Sequence, residues 1–526
     1  MPGSALPEPA QSPVNPRLTR LAPVAVGAVL FLGALALYVA TLAPSVMPGD
    51  YAEFQFSAAI LGVPHPTGYP LYILLGKLFT LLPVGDVAYR VNLSSAVYMA
   101  GAVALGYAGA VRLLRFGGLG RAWPAAAVGA ALFAVAPTPW SMALVARSYA
   151  LNALLVGGVV LALVSWRGTG RPAWFYAACL LVGFSLVHHG TNYLLLPAYG
   201  LYLLWVERER WRRRDDARPW RRRLLGAAAF AAGFSPMLFL VYRFAYGSPY
   251  YWGNPTTWKD FYSMITGGPF HNQVFGFGTG LDVQVLRVAF GLSEMAAQYS
   301  VVGIALGAAG LVVLWRRLRV EAVLLALMVA ANFFFAMNYS LVGYLYFIPT
   351  YLVWAMLMSV GAGWPAYELA RRLSLRAARW AAFGAAGAAL AVVLVWAGAA
   401  RYPALDQSGQ TEWRDRTLAA LEAAPPDASF YLDWEEQSVV RFYRLVYGMR
   451  LDTALHSGDP ADWPERLYCD LEAGVTPYVG KFAGALPPVV ERDFTLEPAV
   501  LGWRVTGVRN PERYAVPPCG QCATCR

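Results

Sequence analysis

Charge is scarce in this chain: Asp, Glu, Lys and Arg make up 14% of its 526 residues, against 58% hydrophobic residues. A soluble domain carries roughly 25% charged and 45–50% apolar residues. The mean hydropathy of +0.44 therefore excludes one and leaves a polytopic membrane protein. Cysteine is scarce too. Of five in all, three form CGQCATC at the C-terminus, Cys519, Cys522 and Cys525, one ligand short of a tetrahedral zinc site; they read as a tail with a disulfide or free thiols. Cys179 falls in an apolar span and Cys469 in the polar C-terminal part, and neither has a catalytic setting. A cleavable leader is not apparent, because the first apolar stretch, 21–43, reaches membrane length behind a proline-rich tail with Arg17 and Arg20.

What is abundant is arginine, giving a net charge of +11 and a pI near 9.4. The arginines cluster in short segments between apolar spans, at 208–223, 316–319 and 371–379, so the charge marks cytoplasmic loops and not a nucleic-acid surface. Apolar stretches near 21–43, 91–111, 122–137, 150–166, 173–188, 190–206, 224–242, 297–315, 320–339, 343–363 and 381–399 make about eleven spans. With residues 1–20 as a disordered cytoplasmic tail, an odd count puts every arginine cluster inside. The short apolar stretch 69–82, bounded by Pro70 and Pro83, would invert that pattern as a span; it is expected to be re-entrant or interfacial.

The expected architecture is an all-α polytopic membrane protein with a small extracytoplasmic α/β domain. Residues 21–399 form the membrane part, with external loops at 44–90 and 243–296; 400–515 form the soluble domain and 516–526 the cysteine tail. In the soluble domain, ASFYLDW, EEQSVVRFYRLVYGM and RLDTAL read as strand, helix and strand. No short-period repeat is evident. The expected setting is the plasma or inner membrane.

Ionisable chemistry concentrates at the external face. Asp50 and Glu53, three apart after the first span, share a helix face. They suit a base or a cation ligand, or, more plainly, an N-cap with its capping-box partner. PHPTGYP holds His65 between two prolines with Tyr69 nearby, as a phosphate contact, an acid-positioning group or a plain turn. Arg90 and Asn92 stand where the first loop re-enters the membrane, and Arg147, Tyr149 and Asn152 just outside the fourth span. An external arginine needs a local anion, either a substrate phosphate or a neighbouring carboxylate. His188 and His189 point to different helix faces, which favours satisfied histidines of a helix connection first, and substrate or phosphate hydrogen bonding second, over metal ligation. Trp252, Asn254, Trp258, Lys259 and Asp260 suit a sugar ring, or else an interfacial aromatic belt. No second acid cluster with ligand spacing occurs near the membrane, so no metal is expected.

GDYAEFQFSAAILGVPHPTGYPLYILLGKLFTLLP, AYRVNLSSAV, ALVARSYALNALL, HHGTNYLLLP and GSPYYWGNPTTWKDF resemble, in this order, the transmembrane-protein-260-type O-mannosyltransferases and their bacterial relatives. The resemblance implies a GT-C glycosyltransferase that moves a sugar from a polyprenyl-phosphate donor to an acceptor, with an acid of the first external loop as base. That role falls on Asp50, with Glu53 beside it. The chain departs from the family pattern at Tyr51 and Ala52, between the acids, and at Arg147, where relatives carry an acid.

The function expected is transfer of a hexose, mannose foremost, from a polyprenyl phosphate to the hydroxyl of an acceptor protein or glycan, without a cofactor. Donor phosphate and substrate binding would involve His65, Tyr69, Arg90, Asn92, Arg147, Tyr149, His188, His189, Trp252 and Asn254. The expected partners are the lipid-linked sugar, the acceptor and membrane lipids, with no nucleic acid. The rival readings are a transporter or flippase and a non-catalytic envelope-assembly protein; spans nearly free of charge speak against transport.

Overall fold

The protein's structure, a computed structural model, describes residues 16–213, 219–373, 376–456, 458–482 and 484–514. The expected N-terminal tail up to residue 15, residues 214–218 of the basic run, and the tail with Cys519, Cys522 and Cys525 lie outside the described residues.

The first hydrophobic helix, α1 (Pro16–Ala40), leads into two short helices, α2 (Asp50–Ile60) and α3 (Pro70–Thr80), before the long α4 (Val87–Phe116). Asp86 caps α4 by accepting the Tyr89 amide at 2.7 Å. Helices α5 (Ala126–Ala134) and α6 (Pro137–Ala143) follow, bent by 67° at a break, then α7 (Ser148–Thr169), α8 (Pro172–His188) and α9 (Leu196–Arg213). Next come α10 (Pro219–Phe234) and α11 (Met237–Tyr246), bent by 45°, and the loop helix α12 (Trp258–Thr266). The membrane part ends with α13 (Leu281–Arg317), α14 (Arg319–Asn338), α15 (Ile348–Arg372) and α16 (Arg376–Leu405). The eleven expected stretches fall largely on helices, 122–137 and 224–242 being divided between the two members of a bent pair. Among the described residues six helices are long and apolar enough to cross a membrane, or eight if each bent pair is one span.

Two expectations need correction. The loop expected over 243–296 is shorter, because α11 runs to Tyr246 and α13 starts at Leu281, its helix broken only at Ser300 (φ 61°, ψ 173°). The apolar run of α13 extends past the span, and that extension hid in a segment rich in polar residues. The capping reading of the acid pair also fails: Gly49 is the N-cap of α2 with no side-chain cap, and Asp50 is the first helical residue.

Close packing of α5 on α15 depends on Gly129, where a Cβ would sit 1.8 Å from the Ala355 carbonyl. Helix α7 separates two polar centres. At its C-terminal end Arg167 pairs with buried Glu321 (2.8 Å) and Glu209 (3.1 Å), tying α7 to α14 and α9. The other end, roughly 30 Å away at 1.5 Å per residue, opens on the acids of α2.

The C-terminal domain contains helices α17 (Glu412–Ala423), α18 (Trp434–Tyr447), α19 (Trp463–Glu472) and α20 (Pro488–Asp493). Its strands are β1 (Ser429–Tyr431), β2 (Ala454–His456), β3 (Pro477–Val479), β4 (Phe494–Pro498) and β5 (Trp503–Val508). The sheet runs β2-β1-β3-β5-β4, with β1 parallel to β2 and β3 and the β5 pairings antiparallel. The β1-α18-β2 unit matches the expected strand, helix and strand. This domain is not a free appendage, because Ala52 and Phe56 of α2 are buried in one core with Val439, Val440, Phe442 and Tyr443 of α18.

Candidate active site

The site starts from a glycine. Gly49 holds φ +64° and ψ −137°, open to glycine and strained for other residues, and so turns the chain sharply into α2. One face of this helix then presents both acids. Asp50 keeps 30% of its side chain exposed and accepts from Arg147 Nη1 (2.8 Å, Oδ2) and Trp434 Nε1 (2.9 Å, Oδ1). Glu53 is fully buried; it accepts from the Tyr250 hydroxyl (2.9 Å) and the His65 amide (3.1 Å), and its other oxygen pairs with His65 Nδ1. The two carboxylates thus have separate partners.

Burial alone would raise the Asp50 pKa, but His65, Arg147 and the hydrogen bonds from Trp434 and Arg147 outweigh it and hold it below the usual carboxylate range. Burial likewise disfavours the charged forms of His65 and Arg147. In His65 the nearby Asp50 and Glu53 reverse that and raise its pKa, and in Arg147 Asp50 does so first. Arg147 also lies over the Tyr51 ring at 4.7 Å.

A cavity of about 340 Å³ opens beside these groups, lined by Asp50, His65, Tyr69, Arg147, Tyr149 and Trp252, and also by Phe270, Tyr339, Tyr346 and Trp434. Five separate parts of the chain contribute: the first loop, the start of α7, the loop before α13, the turn before α15, and the C-terminal domain. One charged corner faces aromatic walls, an arrangement suited to an anionic group attached to a ring with one apolar face.

The remaining expected site residues fall elsewhere. Arg90 donates to the carbonyls of Thr80, Val84 and Gly85 at 2.8–3.0 Å and so closes the end of α3. Asn92 is buried and saturated: it donates to the Ala43 and Ser45 carbonyls and accepts from Gln55 and the Ala146 amide. It holds the first loop against the segment carrying Arg147. His188 meets the Ser148 carbonyl at 2.8 Å, and His189 meets the Thr191 hydroxyl at 2.8 Å. Both histidines stand behind the cavity wall, His189 against the rings of Tyr69, Tyr149 and Tyr346 at 5.6–6.0 Å. Asn152 accepts from Asn192. Asn254 is exposed, Trp258 packs on Phe244, and Asp260 forms the capping box of α12 with Thr257.

Asp50, Glu53 and His65 place ligand-type atoms within 4.8 Å of one another. All three are engaged by Arg147, Trp434, Tyr250 or each other, so the cluster is an ion-paired network in this structure. Sequence reasoning missed Trp434, Tyr250, Phe270, Tyr339 and Tyr346. Trp434 and Tyr250 lie 384 and 197 residues from the acids they contact, and no local pattern links positions so far apart.

Residues 50–212 match the family described as Protein O-mannosyl-transferase TMEM260 N-terminal domain. Protein O-mannosyl-transferase TMEM260 of Mus musculus is 29% identical over 237 residues, 44% of this chain and 32% of that protein. The Dictyostelium discoideum protein of the same name is 23% identical over 301 residues, 54% of this chain and 35% of its own length. The chain therefore spans about a third of the length of these eukaryotic relatives. Among solved structures, ArnT from Cupriavidus metallidurans bound to undecaprenyl phosphate superposes with a TM-score of 0.52 at 14% identity, covering 92% of this chain and 97% of ArnT. The oligosaccharyltransferase AglB from Archaeoglobus fulgidus, in complex with an inhibitory peptide and a dolichol-phosphate, has a TM-score of 0.52 at 12% identity, covering 83% of this chain and 65% of AglB. This chain is thus a multi-pass membrane protein of the GT-C fold, similar over residues 50–212 to the TMEM260 protein O-mannosyltransferases.

Proposed function

We propose that the protein is a membrane glycosyltransferase that moves a hexose, mannose foremost, from a polyprenyl phosphate to an acceptor hydroxyl, such as Ser or Thr of an exported protein. The observation that carries this reading is the convergence of Asp50, Arg147 and His65 on one aromatic-walled cavity at the end of the helix bundle opposite the Arg167 cluster. The curated relatives are named for O-mannosyl transfer, and the two structural neighbours hold lipid phosphates.

In the proposed reaction the acceptor oxygen attacks the anomeric carbon from the face opposite the phosphate. A new glycosidic C–O bond forms as the bond to the phosphate oxygen breaks, and the configuration inverts. Asp50, held ionised by its surroundings, takes the acceptor proton. The electron pair leaves with the polyprenyl phosphate, whose growing charge Arg147 and His65 stabilise. Rings such as Trp252 stack on the sugar. Glu53 is the inner support, holding His65 and Tyr250.

Placement follows the positive-inside rule. The arginine-rich ends of α4, α7, α9 and α15 face the cytoplasm, and the cavity and the C-terminal domain face the outside of the plasma or inner membrane. The test is incubation of the purified full chain in detergent with radiolabelled polyprenyl-phosphate mannose and envelope proteins. Label in Ser- or Thr-linked form supports the reading; no label from this or other polyprenyl-phosphate hexoses overturns it.

A further inference from the structure

The C-terminal domain reaches into the candidate site through one side chain. Asp433 caps α18 by accepting the Glu436 amide at 3.0 Å, so Trp434 leaves the first turn of that helix toward α2. Its indole N–H donates to Asp50 Oδ1, while Arg147 takes Oδ2. Two further contacts seat α18 on α2. The Gly49 amide donates to the Glu435 carbonyl at 3.5 Å, and Tyr250, bonded to Glu53, lies under the Arg441 guanidinium at 5.6 Å.

The split of Asp50 between two donors has a consequence for Arg147. A guanidinium facing a free carboxylate tends to close into a bidentate pair. Here it engages Asp50 through Nη1 alone, and its buried Nε has no hydrogen-bond partner. A buried N–H without a partner is costly, and the Arg147 side chain lines the cavity. Resting on the transferase reading, we propose that Trp434 is a positioning residue: by holding one oxygen of Asp50 it keeps Arg147 from closing on the carboxylate, and so preserves both a base and an open anion-binding edge.

Trp434→Phe keeps the ring in the cavity wall and removes the donor. Asp50 then turns onto Arg147, and the affinity for undecaprenyl phosphate falls about tenfold, the scale of one charge-assisted hydrogen bond. The kcat for hexose transfer falls about ten- to a hundredfold. The acid limb of kcat/KM also moves, because Asp50 exchanges a neutral indole donor for a second bond from the charged Arg147 and keeps as neighbours the charges of His65 and Glu53 and the hydroxyls of Tyr69, Tyr149 and Tyr339; the limb moves to lower pH. Arg147→Lys cannot form the bidentate pair, so adding Trp434→Phe to it costs less than in the unchanged background. Trp434→His, which restores a ring donor, recovers part of the loss and serves as the second variant if the Phe form melts early. Unchanged lipid-phosphate affinity in Trp434→Phe, or additive losses in the double variant, overturns the proposal. A chain that binds the lipid phosphate with this Trp434 dependence but transfers no sugar overturns the transferase reading instead.

Discussion

Removing the charge of Glu53 separates support from chemistry. Glu53→Gln keeps the shape but replaces one acceptor oxygen with a donor, which faces either His65 Nδ1 or the Tyr250 hydroxyl. Glu53 is fully buried, so water cannot compensate. Each hydrogen bond to a buried charge contributes about 1.5–3 kcal/mol, and breaking a buried pair from one side costs about 3–5 kcal/mol; losing the ionic bond while keeping one neutral acceptor places the cost near 3 kcal/mol. The effect depends on pH. Burial lowers the His65 pKa, but Asp50 and Glu53 more than reverse this and raise it. The stabilisation from protonated His65 is then complete below about pH 6.5 and fades as pH rises through the higher folded value. The assay is thermal melting of both forms in detergent at about pH 6 and pH 9, bracketing that range. The unchanged chain melts higher at both, with the gap narrowing toward the alkaline side. Equal melting, or a gap that widens with pH, refutes the assignment of Glu53 as the partner of His65.

Other consequences follow from single contacts. Gly49→Ala forces a side chain onto φ +64° within 3.7 Å of Trp434; it should destabilise by about 1 kcal/mol and slow transfer by displacing Asp50, read from melting and initial rates. Arg90→Ala removes only the closure of α3 and should cost about 1–2 kcal/mol while leaving the KM for the lipid donor unchanged; a raised donor KM would place Arg90 at the substrate after all. Glu436 is pushed up to about 7 by burial first and Asp433 second, and its Oε2 has no hydrogen-bond partner. Its folded state therefore holds the proton more tightly than the unfolded chain, so stability falls as pH rises from the ordinary glutamate range through 7. Glu436→Gln should raise the melting temperature at about pH 8 and leave it unchanged at about pH 5.

The parts of this molecule written in local patterns were readable beforehand. Apolar runs and arginine clusters mark the helices because a span must satisfy its own backbone and shed charge. The β1-α18-β2 unit follows from its alternation and its turns. The acid pair, His65, Arg147 and Tyr149 were singled out as polar groups at membrane ends, and all of them meet at one cavity or directly beneath it. Position alone did not separate ligand-facing groups from framework. Arg90 and Asn92 carry the same signature as Arg147, yet their bonds go to backbone carbonyls and to Gln55. Trp434 was beyond reach for another reason: its role depends on α18 docking against α2, a contact set by a shared apolar core and by no motif in either segment.

The most direct measurement of the central claim is mannose transfer by Asp50→Asn beside the unchanged chain, with melting curves for both. The substitution leaves one acceptor oxygen for Trp434 or Arg147 and removes the base, so transfer should fall by about a hundredfold or more; the broken ion pair to Arg147 lowers the melting temperature, and transfer is compared below both melting temperatures. Transfer within a few-fold of the unchanged chain, in a variant equally folded, would contradict the assignment of Asp50 as the base.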